Sequence, residues 1–291
     1  MSVRKALLAA PLALFFSSMS HGQTLVATET VTIPGFMQPE SAEPDPHNNY
    51  VYVSNIAGHP MEADGVGYIS RVRPDGSELE LKWVEGLDAP KGLALFDNRL
   101  YVADLHELVV IDVQQGQIVA RYPAAEGQML NGIAVAADGT VYLSDFLGNS
   151  IYRLQQGALK LWIHDEGLGT PNGIHVDGDQ IKVVTWGAGI QQDFSTREPG
   201  HILNLSAKDG RFKPMPNGPV GNWDGVVQID DSLVLSNWMT GELYQVLPDG
   251  SANQILQLEK GSADLGWDAD SNTLWVPEMW KDQLIGYRIS R

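Results

Sequence analysis

The sequence predicts an all-β fold, a six-bladed β-propeller with four antiparallel strands in each blade. Three observations predict this fold. A pattern recurs six times with a period of about 40 to 50 residues. Each period holds short alternating strands separated by tight turns such as Pro74-Asp75-Gly76 and Pro248-Asp249-Gly250. The last period lacks one strand, and a spare strand precedes the first.

Each repeat opens with a polar residue, usually followed by glycine, and continues into an apolar strand, a turn and a second strand that ends in a polar residue. The opening residues are spaced 51, 40, 41, 52 and 40 positions apart. They are Glu40, Lys91, Asn131, Asn172, Asp224 and Asp264. Two further alternating runs complete each unit, which gives the four strands of a propeller blade.

The sixth repeat stops after its third strand, residues 283–289. Residues 25–33 alternate well and precede the first repeat, so we expect them to pair beside 283–289 and close the ring. An open β-solenoid or paired sandwiches are the alternative folds, but neither requires a strand at the opposite terminus. Because no Gly/Ser-rich linker or shift of composition divides residues 23–291, we expect one domain there.

Residues 1–22 are typical of a signal peptide. Arg4 and Lys5 precede an apolar run, and a small or polar stretch ends at Gly22, after which cleavage is expected. The alternative is an uncleaved anchor. The apolar run is about half the ~20 residues that span a bilayer, so no membrane span is predicted. The sequence therefore predicts a periplasmic or secreted protein.

Composition excludes several classes of function. Lys and Arg total 19 against 36 Asp and Glu, a formal charge of −17, so a nucleic acid partner is not expected. With no cysteine in the chain, disulfides, thiolate nucleophiles and Cys-ligated metals are excluded, and a metal would need oxygen or imidazole ligands. The sequence carries no signal for an oligomeric state.

The opening residues of the six repeats are expected to converge at one mouth of the central channel, because the first strand of each blade lines the axis. Three carboxylates, two carboxamides and one lysine would meet there, a set that suits a hard cation such as Ca²⁺. The alternative is a ring of side chains that bond one another and trapped water, with Lys91 neutralising a carboxylate.

Repeats one and four are about ten residues longer than the others, and the excess falls in the loops after their second strands. These loops open on the face that carries the opening residues, so we expect them to bind a small-molecule substrate. The candidate contacts are His59, Trp186, Phe194 and Arg197. Ordinary variation of surface loops is the alternative.

Three of these motifs resemble the gluconolactonase and regucalcin-like (senescence marker protein) family of six-bladed propellers. They are Glu40 at the start of the first blade, Thr170-Pro171-Asn172-Gly173 and Trp223-Asp224-Gly225. The resemblance implies one divalent cation held by Glu40, Asn172 and Asp224, with Ca²⁺ expected first and Zn²⁺, Mn²⁺ or Mg²⁺ as alternatives. It also implies that Asn131 lies near both metal and substrate.

The sequence departs from the family pattern at several positions. Ser41 and Ala42 follow Glu40 where the family has Gly-Pro, and Met129 replaces an Arg. Lys91, Asp264 and Glu278 are additions expected at the channel mouth, and the family pattern does not explain them.

The resemblance implies a metal-dependent hydrolase of lactones or related cyclic esters. In this hypothesis Asp224 is ligand and general base, Asn131 orients the substrate, and Lys91 steadies developing negative charge. The alternative is a non-catalytic binding propeller with a structural cation. A third hypothesis is metal-free catalysis by Glu278.

Overall fold

The structure, a computed structural model, describes residues 23–291 and consists almost entirely of β-strands. Six sheets of four antiparallel strands are arranged as the blades of a propeller, which confirms the predicted fold class. The prediction of a signal peptide in residues 1–22 lies outside the described residues. Within residues 23–291, no helix has the length and apolar character that crossing a bilayer requires.

The first three blades each use four consecutive strands, ordered from the axis outwards. Blade one holds β2 (Pro39–Asp45), β3 (Tyr50–Asn55), β4 (Gly67–Val72) and β5 (Glu80–Leu87); blade two holds β6 (Pro90–Phe96), β7 (Arg99–Asp104), β8 (Glu107–Asp112) and β9 (Gln117–Pro123); blade three holds β10 (Leu130–Val135), β11 (Val141–Asp145), β12 (Ser150–Gln155) and β13 (Ala158–His164).

The other three blades differ from these in one insertion and in the ring closure. Blade four holds β14 (Pro171–Asp177), β15 (Gln180–Thr185), β18 (Ile202–Ser206) and β19 (Phe212–Pro214), with the short pair β16 (Gly187–Ala188) and β17 (Glu198–Pro199) in its long loop; blade five holds β20 (Trp223–Ile229), β21 (Ser232–Asn237), β22 (Glu242–Val246) and β23 (Ala252–Gln257); blade six holds β24 (Gly266–Asp268), β25 (Thr273–Glu278), β26 (Gln283–Ser290) and β1 (Val26–Pro34). Two 3-10 turns, Glu166–Leu168 and Met279–Lys281, complete the regular structure.

The ring is closed by the N-terminal strand, as the sequence predicts. β1 is the outer strand of blade six and pairs antiparallel with β26, with Val26 opposite Ser290 and Pro34 opposite Gln283. Leu25, just before β1, and Ile33, within it, are buried in the hydrophobic core. This pairing covers the edge of β26 that would otherwise be open to another chain.

The hydrophobic core is divided among the interfaces between neighbouring blades. Six apolar clusters each join two consecutive blades, and the cluster that contains Val51, Val53, Trp275 and Leu284 joins the last blade to the first. A seventh cluster lies apart from these, at the ends of the second strands. The six interfaces hold the blades in a ring, and the seventh cluster belongs to the candidate site.

Candidate functional site

A cavity of about 130 Å³ opens at one end of the propeller axis. Five of the six residues that open the repeats line it: Glu40, Lys91, Asn131, Asn172 and Asp224. All five are buried. The predicted convergence therefore places these side chains together, and we call this set the polar floor.

A β-bulge at the start of the first strand presents each floor residue. In blades one to five the register between first and second strand shifts over the two residues that follow the first paired residue, as between Leu130 and Ile133. The floor residue and the residue after it occupy that shift. Bulges re-aim side chains in this way and are common next to functional sites.

Glycine follows the floor residue in four blades because the inner strands approach closely there. A Cβ on Gly132 would lie 2.2 Å from the carbonyl oxygen of Asn172, and a Cβ on Gly173 would lie 2.3 Å from that of Asp224. No side chain fits at such distances. The glycines thus permit the spacing that brings the floor residues together.

Serine hydroxyls of the second strands hold neighbouring first strands in place. The Ser144 hydroxyl accepts a hydrogen bond from the Gly132 amide at 2.8 Å and donates one to the Asn172 carbonyl at 2.7 Å. Ser236 makes the equivalent pair in blade five, with the Gly225 amide and the Ala263 carbonyl. These buried bonds fix the backbone that carries the floor.

Three floor oxygens are buried and have no hydrogen-bond partner within the described part of the chain. They are Glu40 Oε2, Asn172 Oδ1 and Asp224 Oδ1. They belong to the three residues that the family resemblance implies as cation ligands. Since a buried acceptor without a partner is costly, the arrangement suits an oxygen-binding cation.

The donor set is small. Among residues 23–291, no three His, Asp or Glu side chains come together at positions that could hold a metal ion. The candidate site therefore consists of two carboxylates and one carboxamide.

The two floor carboxyl groups have raised pKa values. Burial, and then the charges of Asp224 and Asp264, raise the pKa of Glu40 well above its usual range, while Lys91 opposes this rise. Burial and Asp264 likewise raise the pKa of Asp224, against a hydrogen bond from Asn172. A bound cation would lower both pKa values, because it stabilises the ionised forms.

Lys91 supplies the positive charge of the floor. Its side chain is buried, and its ammonium donates to the carbonyl oxygens of Ala89 at 2.8 Å and Pro60 at 3.1 Å. Burial lowers the pKa of Lys91 to about 8, although the nearby carboxylates of Glu40 and Asp104 act in the opposite direction. Pro60 comes from the long first loop, so this contact ties the loop to the floor.

Two acidic residues expected at the mouth lie elsewhere. Asp264 lines a separate cavity bounded by the first strands, and its carboxylate accepts from the Ser41 hydroxyl and the Leu265 amide. It precedes the short strand β24 by two residues, so no bulge directs it into the mouth. Glu278 is buried outside the pocket lining and accepts from Lys281 and Gln283.

The two long loops contribute to the pocket only in part. Trp186 and Phe194 line it, and the Trp186 indole donates to the Phe194 carbonyl at 2.7 Å. His59 and Arg197 are exposed and do not line the pocket. The first loop reaches it through Pro60.

The walls of the pocket are formed mainly by residues that the sequence analysis did not single out, Trp186 being an exception. In every blade the residue directly after the polar end of the second strand is apolar and buried: Ile56, Leu105, Phe146, Trp186, Trp238 and Met279. These six residues belong to the seventh cluster, and we call them the apolar collar. All of them except Leu105 line the pocket. Their constant place in the repeat is the signal that could have identified them.

Together, the fold and the site define a six-bladed propeller with an oxygen-lined floor and an apolar collar at one end of its axis. Among solved structures, the fold is similar to a gluconolactonase from Xanthomonas campestris, with a TM-score of 0.68, 16% identity, and coverage of 92% of this chain and 100% of that one. Gluconolactonases are thus among its structural neighbours.

Solved structures of other kinds of protein also match. A virginiamycin B lyase from Staphylococcus aureus has a TM-score of 0.60 at 12% identity, covering 91% of this chain and 99% of that one. A chain of a nidogen/laminin complex has a TM-score of 0.60 at 18% identity, covering 76% and 80%. No protein-family model and no curated protein matches the sequence. At these identities the similarity shows the fold alone. The activity has to be inferred from the residues of the site.

Proposed function

We propose that this protein is a divalent-metal-dependent hydrolase of lactones or related cyclic esters. The observation that carries the proposal is the group of three buried oxygens, Glu40 Oε2, Asn172 Oδ1 and Asp224 Oδ1, which have no partner within residues 23–291 and lie on the floor of the pocket. The gluconolactonase fold supports the same reaction class.

The donor chemistry favours Ca²⁺ among the divalent cations. Ca²⁺ prefers carboxylate and carbonyl oxygens and tolerates irregular geometry, whereas Zn²⁺ prefers imidazole or thiolate ligands. The three candidate donors are all oxygens, and the chain has no cysteine. When bound, such a cation supplies Lewis-acid polarisation of an ester carbonyl.

The chain's own residues supply the remaining chemistry in this proposal. Asp224 accepts the proton of the attacking water, since its carboxylate lines the floor of the pocket. The Asn131 carboxamide orients the ester group against the floor. The buried Lys91 ammonium stabilises negative charge that develops on the carbonyl oxygen, since it acts in a water-poor site.

The test is calorimetric titration with Ca²⁺, Mg²⁺, Mn²⁺ and Zn²⁺, followed by hydrolysis of a lactone panel with and without EDTA. We expect Asp224→Ala to abolish cation binding and to lower kcat/KM at least about 100-fold. Glu62→Gln, which removes one exposed carboxylate in the first loop, is the matched control and keeps both properties.

Absence of hydrolysis across the panel in the presence of every cation would contradict the proposal. If the wild-type protein binds the cation, and Asp224→Ala lowers only the melting temperature, the cation is structural and the propeller is a binding protein.

We also propose that the protein is exported to the periplasm or secreted, on the strength of residues 1–22. Mass spectrometry of protein recovered outside the cytoplasm is expected to show a chain that begins at Gln23. Recovery of the uncleaved chain in the cytoplasm alone would contradict this.

A further inference from the structure

We infer that the pocket selects compact apolar or aromatic ring ligands and rejects polyhydroxylated sugar lactones. The inference deepens the proposed function and rests on it for the placement of the reacting carbonyl at the polar floor. The proposed reaction does not specify the class of substrate. We infer that class from the walls of the pocket.

Five of the six collar residues line the pocket together with the floor residues. The backbone amides of Phe146 and Trp186 donate to the carbonyls of Met129 and Thr170, each located two residues before a floor residue. The same bond recurs at Ile56 and Trp238. In four blades the repeat therefore fixes an apolar residue beside the segment that leads into a floor residue, so this part of the apolar wall is built into the architecture.

The aromatic members of the wall form a continuous chain of ring contacts. The ring centroids of Phe146 and Trp186 are 5.5 Å apart, those of Trp186 and Trp238 5.6 Å, and those of Trp238 and Trp280 5.7 Å. The interplanar angles lie between 53° and 71°, the tilted or edge-to-face geometry that aromatic pairs prefer. Each ring is held by its neighbour, so the wall is pre-organised.

Apart from Gln38, whose buried Oε1 has no partner among the described residues, the wall offers few hydrogen bonds to a hydroxylated ligand. The Trp186 indole N–H is already donated to the Phe194 carbonyl, and two ammonium hydrogens of Lys91 are donated to Pro60 and Ala89. Met129, immediately before β10, adds a buried thioether to the lining. A sugar hydroxyl facing these groups would lose its water without gaining a partner, which weakens binding about ten-fold or more per hydroxyl.

The size of the cavity sets an upper limit on the buried part of the ligand. Its volume of about 130 Å³ is close to the roughly 150 Å³ of an apolar cavity that holds benzene. One five- or six-membered ring with an apolar edge fits this space. Trp280, which is 55% exposed, stands at the rim, where a larger substituent would leave the pocket.

The experiment separates ligand class from catalysis by using lactams, which keep the ring and its carbonyl but resist hydrolysis. Binding of 3,4-dihydroquinolin-2-one and of gluconolactam to the full chain is measured by calorimetry in the presence of Ca²⁺. We expect the aromatic lactam to bind at least ten-fold more tightly. Hydrolysis of the matching lactones, dihydrocoumarin and glucono-δ-lactone, is measured in parallel.

Two variants locate the binding. Trp280→Ala removes a rim ring and is expected to weaken the aromatic lactam about three- to ten-fold. Trp162→Ala, at a half-buried tryptophan on the outer strand of blade three, is the matched control and leaves affinity unchanged. Melting temperatures confirm that both variants fold.

Tighter or equal binding of gluconolactam overturns the inference, as does the absence of binding by either lactam. If the aromatic lactam binds preferentially and Trp280→Ala weakens it, but neither lactone is hydrolysed, the inference stands and the proposed hydrolase activity fails.

Discussion

Glu40 and Glu43 lie three residues apart on β2 but face different cavities of the propeller. Glu40 belongs to the polar floor, whereas Glu43 lines the separate cavity that also contains Asp264. Glu43 Oε1 accepts a hydrogen bond from the Leu95 amide at 3.0 Å. Burial nevertheless raises the pKa of Glu43 to about 8, with further contributions from Asp264 and Asp45. β2 therefore carries two carboxylates with raised pKa values, one in each cavity.

We predict that Glu43→Gln stabilises the protein at alkaline pH and has little effect near pH 4. The unfolded carboxyl ionises near pH 4.3, so the preference of the folded state for the protonated form reduces stability as pH rises from there to about 8. The glutamine removes this loss and keeps an acceptor for Leu95. The expected gain above pH 8 is about 1 kcal/mol, or roughly 2–4 °C in Tm.

Thermal melts of both proteins between pH 4 and pH 9 check this prediction. Glu62→Gln, at an exposed position, is the control that shows no pH-dependent difference. A gain that is the same at pH 4 and pH 9 would show that the effect is not due to ionisation of Glu43.

At the scale of the element, the first strands are defined by their glycines. We predict that Gly132→Ala destabilises the protein by about 1–3 kcal/mol, because its Cβ would lie 2.2 Å from the Asn172 carbonyl oxygen, a backbone atom that cannot move alone. The strand shift should also disturb the floor and weaken cation binding. Chemical denaturation and calorimetry measure the two effects.

Gly218→Ala is the matched control for this substitution, since the added Cβ would be 3.3 Å from its nearest neighbours, atoms of Met215. Its stability should change by less than about 0.5 kcal/mol. Equal losses in the two variants would argue against close packing of the inner strands.

The strands, their pairing and all five floor residues were predictable from the sequence because all follow a fixed repeat. Asp264 was misplaced by the same logic: in blade six the first strand begins at Gly266, after the aspartate, and has no bulge. Apart from Trp186, the collar was missed because each apolar residue follows a polar strand end. In a single repeat, such a residue is indistinguishable from the start of a surface loop. Only comparison of the six repeats shows that the position is always apolar.

The loop contacts were predicted less well than the floor. Trp186 has a fixed place in the repeat, and the structure brings it to the pocket, while His59 and Arg197 stand in the long insertions and are exposed. A periodic pattern specifies positions near the axis. The path of an inserted loop depends on contacts such as the hydrogen bond from Lys91 to the Pro60 carbonyl. The repeat pattern does not predict such contacts.

For the molecule as a whole, closure of the ring depends on a strand contributed by the opposite end of the chain. We predict that deletion of residues 1–34 lowers the Tm by about 10 °C, because Leu25 and Ile33 lose their buried sites and β26 becomes an open edge. A synthetic peptide of residues 24–34, added in trans, should restore much of the loss by pairing with β26. The same peptide with Ile33→Asp should not, since Ile33 is buried in the cluster that joins blades six and one. An unchanged Tm after the deletion, or equal rescue by both peptides, would show that β1 is not what holds the ring shut.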